Sequence, residues 1–471
     1  MKFTLKDYQE DAVKDVLVNL KKAARRWRED RDKHAFSLTA TTGAGKTVMA
    51  AAVFEALFHG DDNFDFEPDP GAVVIWFSDD PSLNEQSRFR LLEASDRISL
   101  SDLVVVQNTF NRDKLEAGKI YFLNTHKLGR SSLLVRGHDP NDDGVEKDGQ
   151  IQIMPDLRSF TMWDTIQNTI EDPALTLYLV LDEAHRGMRA TGGAAAGEKL
   201  TIVRRLINGA GGVPGIPVVW GISATVDRFN AAMTDMQGRA TLPNVIVDPG
   251  KVQASGLLKD IINLDVPKEA GAFDTVLVRR GTDKLKESSA AWAAYAKQQE
   301  DADTVLPLMV LQVPNTPDPN DIGRALDTIY ERWPELPPGA IAHVFGDHTE
   351  QTFGAHTVPY ISPERVQDST WVRVLIAKDA ISTGWDCPRA EVMVSFRPAR
   401  DKTNITQLLG RMVRTPLARR IPGNDRLNSV DCLLPFFDPK SVEEVAKTLM
   451  SGGDGGEDLP GRRVLINPIE L

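Results

Sequence analysis

Residues 39–53, TATTGAGKTVMAAAV, place Lys46 and Thr47 directly after a turn that contains Gly43 and Gly45. A lysine ammonium, a threonine hydroxyl and successive backbone N–H groups in such a turn are the donors that hold a phosphate chain and its Mg2+. Thr42, Gly43, Ala44 and Gly45 are the expected cradle, Lys46 reaches the outer phosphates, and Thr47 offers its hydroxyl to the metal. Ala40 stands where this pattern usually opens with glycine, a mild departure. A second stretch, TLYLVLDEAHRG (176–187), supplies the adjacent carboxylates Asp182 and Glu183. Nucleotide hydrolysis needs one carboxylate that holds Mg2+ through its waters and another that polarises the attacking water. Asp182 suits the first role and Glu183 the second. A third stretch, PVVWGISATVDR (217–228), ends in Ser223-Ala224-Thr225, whose short hydroxyls could link a nucleotide site to a neighbouring domain. Taken singly, each has an ordinary reading: a glycine-containing turn, a solvated acid pair, a polar strand end.

These groups act together only if regular elements bring them to one edge. Ala35 to Ala40 reads as a short buried strand, and Thr47 to Phe58 has helical spacing of its apolar residues. Leu177 to Leu181 is a continuous apolar run, the pattern of a strand covered on both faces. It delivers Asp182 and Glu183 at its C-terminal end, where open α/β sheets bind ligands. Further strands are predicted near 72–77, 103–106, 119–124 and 217–222, then at 305–313, 340–345, 372–377, 391–396 and 430–435. The fold class is α/β, with mainly parallel sheets between helices.

The order Gly43-Ala44-Gly45-Lys46-Thr47, Asp182-Glu183-Ala184-His185, Ser223-Ala224-Thr225 resembles the first RecA-like lobe of a superfamily 2 DEAD/DEAH-box helicase. IAKDAISTGWDCP (376–388) is similar to motif V of that superfamily, and TQLLGRMVRTP (406–416) to motif VI. FTLKDYQEDAV (3–13) is similar to the Q-motif, VIWFSDDPSLNEQS (74–87) to motif Ia and LNTHKLGRSS (123–132) to motif Ib. The wording ATTGAGKT, DEAHRG, SGLLKDIINLD and TGWDCP looks like the restriction-subunit (Res) family of type III restriction enzymes and related phage-defence helicases.

The resemblance implies two tandem RecA-like lobes with ATP and Mg2+ as ligands. It gives Gln9 the adenine edge, Gly384 and Asp386 further nucleotide contacts, and Gln407, Arg411 and Arg414 places in the catalytic set. Arginines there make chemical sense, because charge spreads over the phosphoryl oxygens in the transition state and a guanidinium stabilises it. Thr125 and Trp385 fall where the superfamily runs its nucleic-acid strand, with a lobe interface as the alternative for Trp385, while Trp27, Trp76, Trp163 and Trp220 lie in apolar patterns and read as core. DNA is the implied partner, with methyltransferase, nuclease or other defence subunits beside it.

On this reading the chain divides into a first lobe over 1–264, a second over 265–437, and a tail over 438–471 with a helix, an acidic Gly-rich linker and the opening strand of a further domain. RGHDPNDDGVEKDGQ (136–150) reads as an exposed hairpin or loop and TGGAAAGEK (191–199) as a mobile loop. Composition sets outer limits. The profile, 41% hydrophobic and 26% charged, is that of a globular protein, and no apolar run is long enough to span a bilayer. Two cysteines, Cys387 and Cys432, make neither a disulfide framework nor a zinc site, and a reducing cytoplasm fits them. The formal charge of −12 excludes a chain coated in positive charge, yet leaves room for a basic groove.

The function expected is an ATP-dependent helicase or translocase on DNA, in restriction-modification or phage defence. Alternatives are an RNA helicase or remodelling ATPase of the same fold, a nucleotide-gated scaffold in a defence complex, and a P-loop switch of another class. Motif V and the paired arginines speak against the last. No nuclease activity is expected from this chain, because its one acid-x-Lys element, Asp438-Pro439-Lys440, reads as a turn.

Overall fold

The computed structural model describes residues 1–78, 81–136, 158–182, 194–223, 229–230, 233, 238–269, 274–301, 304–378, 385–398, 401–451 and 461–470. The chain forms two compact units, Met1–Ala40 with Gly45–Val247, and Asp248–Leu471 with Thr41–Ala44.

In the first unit the apolar runs become strands β1 (Lys33–Thr39), β2 (Ala72–Ser78), β3 (Leu103–Val105), β4 (Lys119–Asn124), β5 (Thr176–Asp182), β6 (Val218–Ser223), β7 (Arg239–Thr241) and β8 (Val245–Ile246). They form one parallel sheet in the order β8-β1-β6-β5-β2-β4-β3, with β7 also on β1. Helices α1 (Asp7–Asp30), α2 (Lys46–His59), α3 (Pro81–Ala94), α4 (Met162–Glu171) and α5 (Ala194–Asn208) accompany it. Strand side chains alternate between faces, and both faces are covered. Ile75, Phe77, Leu179 and Leu181 share a core with Trp163 and Ile166 of α4. On the opposite face Phe54 of α2 meets Trp76 and Trp220 edge-on at 6.0 and 5.9 Å. The central residues of α2, Met49 to Leu57, are buried all round, which explains why its sequence is apolar on every side. The one charged residue between Met49 and Leu57, Glu55, receives the amino group of Met1 at 2.9 Å.

The second unit repeats the plan with β9 (Ile261–Pro267), β10 (Leu308–Gln312), β11 (Ile341–His343), β12 (Val374–Ala377), β13 (Ala390–Ser395), β14 (Ser429–Leu433) and β15 (Arg463–Ile469). All pair in parallel, in the order β11-β12-β10-β13-β14-β9-β15. Helices α6 (Asp274–Gln299), α7 (Pro319–Arg332), α8 (Lys402–Met412) and α9 (Pro439–Met450) flank this sheet. Leu277 and Leu285 of α6 and Leu326 and Ile329 of α7 pack on Met309, Leu311, Val374 and Val392.

Three expectations need correction. The division of the chain falls between Val247 and Asp248 rather than after Leu264, and Ile261–Pro267 is a strand of the second sheet. The run at 463–469, read as the start of a further domain, is a strand of the second sheet: it pairs along its whole length with Ile261–Pro267. Ala194 to Lys199, read as part of a mobile loop, begins α5, as its alanine content favours. The expected loop at 136–150 lies, from 137 on, outside the described residues.

Candidate active site

Three strands of the first sheet end side by side. Thr39 at the end of β1 is in register with Ser223 at the end of β6, and Asp182 at the end of β5 is in register with Ile222 of β6. The parallel register therefore brings the start of the phosphate-type loop, the Asp182 carboxylate and Ser223 to one carboxyl edge. A backbone bond from Ala40 N to Ser223 O, 3.2 Å, ties the start of the loop to the end of β6. Ser223 itself is fully buried.

The loop turns sharply between Ala40 and Lys46. Gly43 and Gly45 have φ of +87° and +82°, the left-handed region where a Cβ is strained. Gly45 caps α2 without a side-chain hydrogen bond, so the helix start faces the turn with its backbone N–H end, the end that suits an anion. Lys46 curls back across the turn, its Nζ donating to Ala40 O at 2.9 Å, and Thr47 is half-buried in the first helical turn. Gln9, at the start of α1, is 5% exposed and lies against the same turn: a Cβ on Gly45 would stand 2.5 Å from its Nε2. Its Oε1 accepts from Lys6 N at 2.9 Å, which fixes the orientation of the amide. Gln9, Gly45 and Lys46, distant or differently placed in sequence, thus meet in one unit.

Asp182 is half-buried and accepts a hydrogen bond from Ser87 Oγ of α3 at 3.2 Å. Ser87 was inside the motif Ia stretch, but nothing in its spacing marked it as a partner of Asp182. The neighbouring edge is also stitched: Ser78 Oγ donates to Asn84 Oδ1 at 2.7 Å, and Asn84 Nδ2 to Leu123 O at 2.9 Å. Thr125, expected at nucleic acid, is 4% exposed in the first position of a short helical turn capped by Asn124.

In the second unit Arg411 sits in the last turn of α8 and Arg414 just beyond it. Arg411 Nη1 donates to Trp385 O at 3.4 Å, and Arg414 Nη1 forms an ion pair with Asp386 Oδ2. The motif V and motif VI residues are therefore brought together. Trp385, expected to meet nucleic acid or a lobe interface, is 2% exposed, so its ring is core and offers no stacking face. Cys387 beside it is wholly buried, which pushes its thiol up to about 12 and leaves it inert. Gln407 lies on α8. Glu183, Thr225 and Gly384 lie outside the described residues. Among the described residues there is no cluster of three His, Cys, Asp or Glu side chains that would hold a metal alone.

Comparison with known proteins follows the same lines. Residues 2–213 match the family described as type III restriction enzyme, res subunit. No curated protein matches the sequence. Among solved structures, the DUF1998 helicase MrfA bound to DNA superposes with a TM-score of 0.54 at 13% identity, over 98% of this chain and 52% of that one. The same helicase with DNA and AMPPNP gives 0.52, again at 13% identity, over 98% and 55%. This chain thus spans about half the length of those proteins. S. cerevisiae Dbp5 bound to RNA and ADP BeF3 gives 0.49 at 13% identity, over 98% and 94%. At such identity the likeness concerns fold alone. The two parallel-sheet units have the fold of tandem RecA-like lobes, and residues 2–213 match a domain of the Res-subunit type.

Proposed function

We propose that this protein is a nucleic-acid-dependent ATPase that acts on DNA and couples hydrolysis to movement along a strand, as part of a cytoplasmic restriction-modification or phage-defence system. The observation that carries the reading is the carboxyl edge of the first sheet, where the Lys46 loop and Asp182 meet with Gln9 against the turn. Backbone donors of the loop and Lys46 bind the phosphates, Gln9 orients the base, and Asp182 with Thr47 holds Mg2+. Mg2+ supplies neutralisation of charge on the transferred phosphoryl group. Glu183 accepts the proton of the attacking water, and Arg411 and Arg414 stabilise the spreading negative charge. Ser223 and Thr225 communicate the state of the site through the backbone that Ala40 shares with β6.

DNA is preferred because MrfA, whose fold this chain shares, is a helicase bound to DNA, and because residues 2–213 match the res subunit of type III restriction enzymes. Contacts with the strand are expected to be mainly to phosphate, hence tolerant of sequence and weakened by salt. The test is ATP turnover with single-stranded DNA, duplex DNA and RNA in parallel. Stimulation by DNA supports the proposal. Stimulation by RNA alone replaces it with an RNA-remodelling role, and turnover without any stimulation removes translocation.

A further inference from the structure

Arg414 lies past the end of α8, which stops at Met412, so no helical hydrogen bond fixes its backbone. Something else must hold it, because a guanidinium acts on a transition state only if its position is set within a fraction of an ångström. The partner is the stretch 255–260, Ser-Gly-Leu-Leu-Lys-Asp, which opens the SGLLKDIINLD wording of the Res resemblance and runs ahead of β9. Leu258 and Arg414 face each other in an isolated antiparallel bridge. Backbone bonds flank it on both sides, Lys259 N to Val413 O at 2.7 Å and Thr415 N to Leu257 O at 3.0 Å. Thr415, 4% exposed, adds its hydroxyl, with Oγ1 2.9 Å from Gly256 O and 3.1 Å from Leu257 O.

The connector is itself anchored at three points. Gly256 has φ +72° and lies so close to the chain that a Cβ would fall 2.5 Å from Arg420 N. Asp260 receives Arg420 in a bidentate pair, 2.6 and 2.7 Å, and Gln253 Nε2 at 2.7 Å. Lys259 runs into the core, where its Nζ stands 3.2 Å from Glu391 Oε1 of β13. Glu391 in turn accepts from Trp292 Nε1 of α6 at 3.0 Å and from Ser288. At the far end the Arg414 guanidinium is held by Asp386.

We propose that residues 255–260 and Thr415 form a brace that positions Arg414 for the hydrolysis step, with Thr415 and Gly256 as its positioning residues. The inference rests on the role proposed above for Arg414. ATP turnover by the full chain, with saturating DNA, tests it. Thr415→Val keeps the shape and removes the hydroxyl; kcat should fall about ten- to a hundredfold while KM for ATP holds. Thr415→Ser keeps the hydroxyl and should restore most of the rate. Gly256→Ala drives the connector away from Arg420 without removing any side chain and should show the same split between kcat and KM. In an Arg414→Ala background, Thr415→Val should add no further loss, since it acts through that arginine. A wild-type kcat in Thr415→Val, an equal loss in Thr415→Ser, or full additivity with Arg414→Ala overturns the brace. A wild-type rate in Arg414→Ala overturns instead the role of Arg414, and so separates the two ideas. Should Thr415→Val not fold, Gly256→Ala and Thr415→Ser carry the decision by the same criteria.

Discussion

Lys46 is the only side-chain cation of the phosphate-type turn, and its ammonium already points back across the loop to Ala40 O. A charge-assisted contact to phosphate is worth about 1.5–3 kcal/mol. Lys46→Ala should therefore weaken ATP binding by roughly one to two orders of magnitude and abolish turnover. Fluorescent-nucleotide titration and phosphate release measure the two effects, and near-normal turnover would remove the core of the proposed function. Arg414 makes a different demand. An arginine that serves only the transition state should, on replacement by alanine, slow hydrolysis by about 10³ or more while affinity changes far less. Equal losses in both, measured in the same assays, would make it a ground-state contact.

At the scale of elements, the clearest energetic commitment is the buried pair that ties the 255–260 connector to β13. Lys259 and Glu391 are 0% and 1% exposed. Burial pushes the Lys259 ammonium towards its neutral form, and the nearby Glu391 carboxylate opposes this. Removing one member of such a pair leaves the other charge in the core, at a cost of about 3–5 kcal/mol. Lys259→Met should lie near the lower end, because Trp292 and Ser288 still donate to Glu391. Lys259→Met with Glu391→Gln should recover part of the loss, since the amide carries no charge and its oxygen still accepts from Trp292 and Ser288. Urea unfolding of the three proteins checks this; a silent Lys259→Met would mean that the pair contributes little to the fold.

At the scale of the whole molecule, cutting of DNA is a separate question from movement on it. Asp438, the single acid-x-Lys candidate, caps α9: it accepts from Ser441 N at 3.0 Å and from Ser441 Oγ at 2.6 Å. The Ser441 hydroxyl, with further backbone donors, holds its carboxyl below the usual range. A carboxylate spent on a helix start is poorly placed to share Mg2+ with a lysine two residues on. Supercoiled plasmid incubated with the chain, Mg2+ and ATP should stay intact, while Asp438→Ala should cost only about 0.5–2 kcal/mol of stability as a lost cap. Nicking that survives purification and disappears in Asp438→Ala would reveal a nuclease centre instead.

Much of this was legible in the sequence for local reasons. The apolar runs at Ala72–Ser78 and Thr176–Asp182 are buried on both faces, so continuous hydrophobicity announced them as parallel strands. The Gly43 and Gly45 turn ahead of α2 was equally plain, because only a few residue types tolerate that backbone. Pairing over distance was not legible. The connector at 255–260 carries no periodic pattern, and its purpose appears only when Leu258 faces Arg414 across more than a hundred and fifty residues of chain. The half-polar run at 463–469 could pair with any edge, and register against Ile261–Pro267 chose its sheet. Trp385 and Thr125 looked available by position in a motif, whereas burial depends on which elements cover them. Residue types and short spacings fixed which chemistry was on offer; the tertiary structure decided which side chains share a site, because parallel register and long-range hydrogen bonds have no local signature.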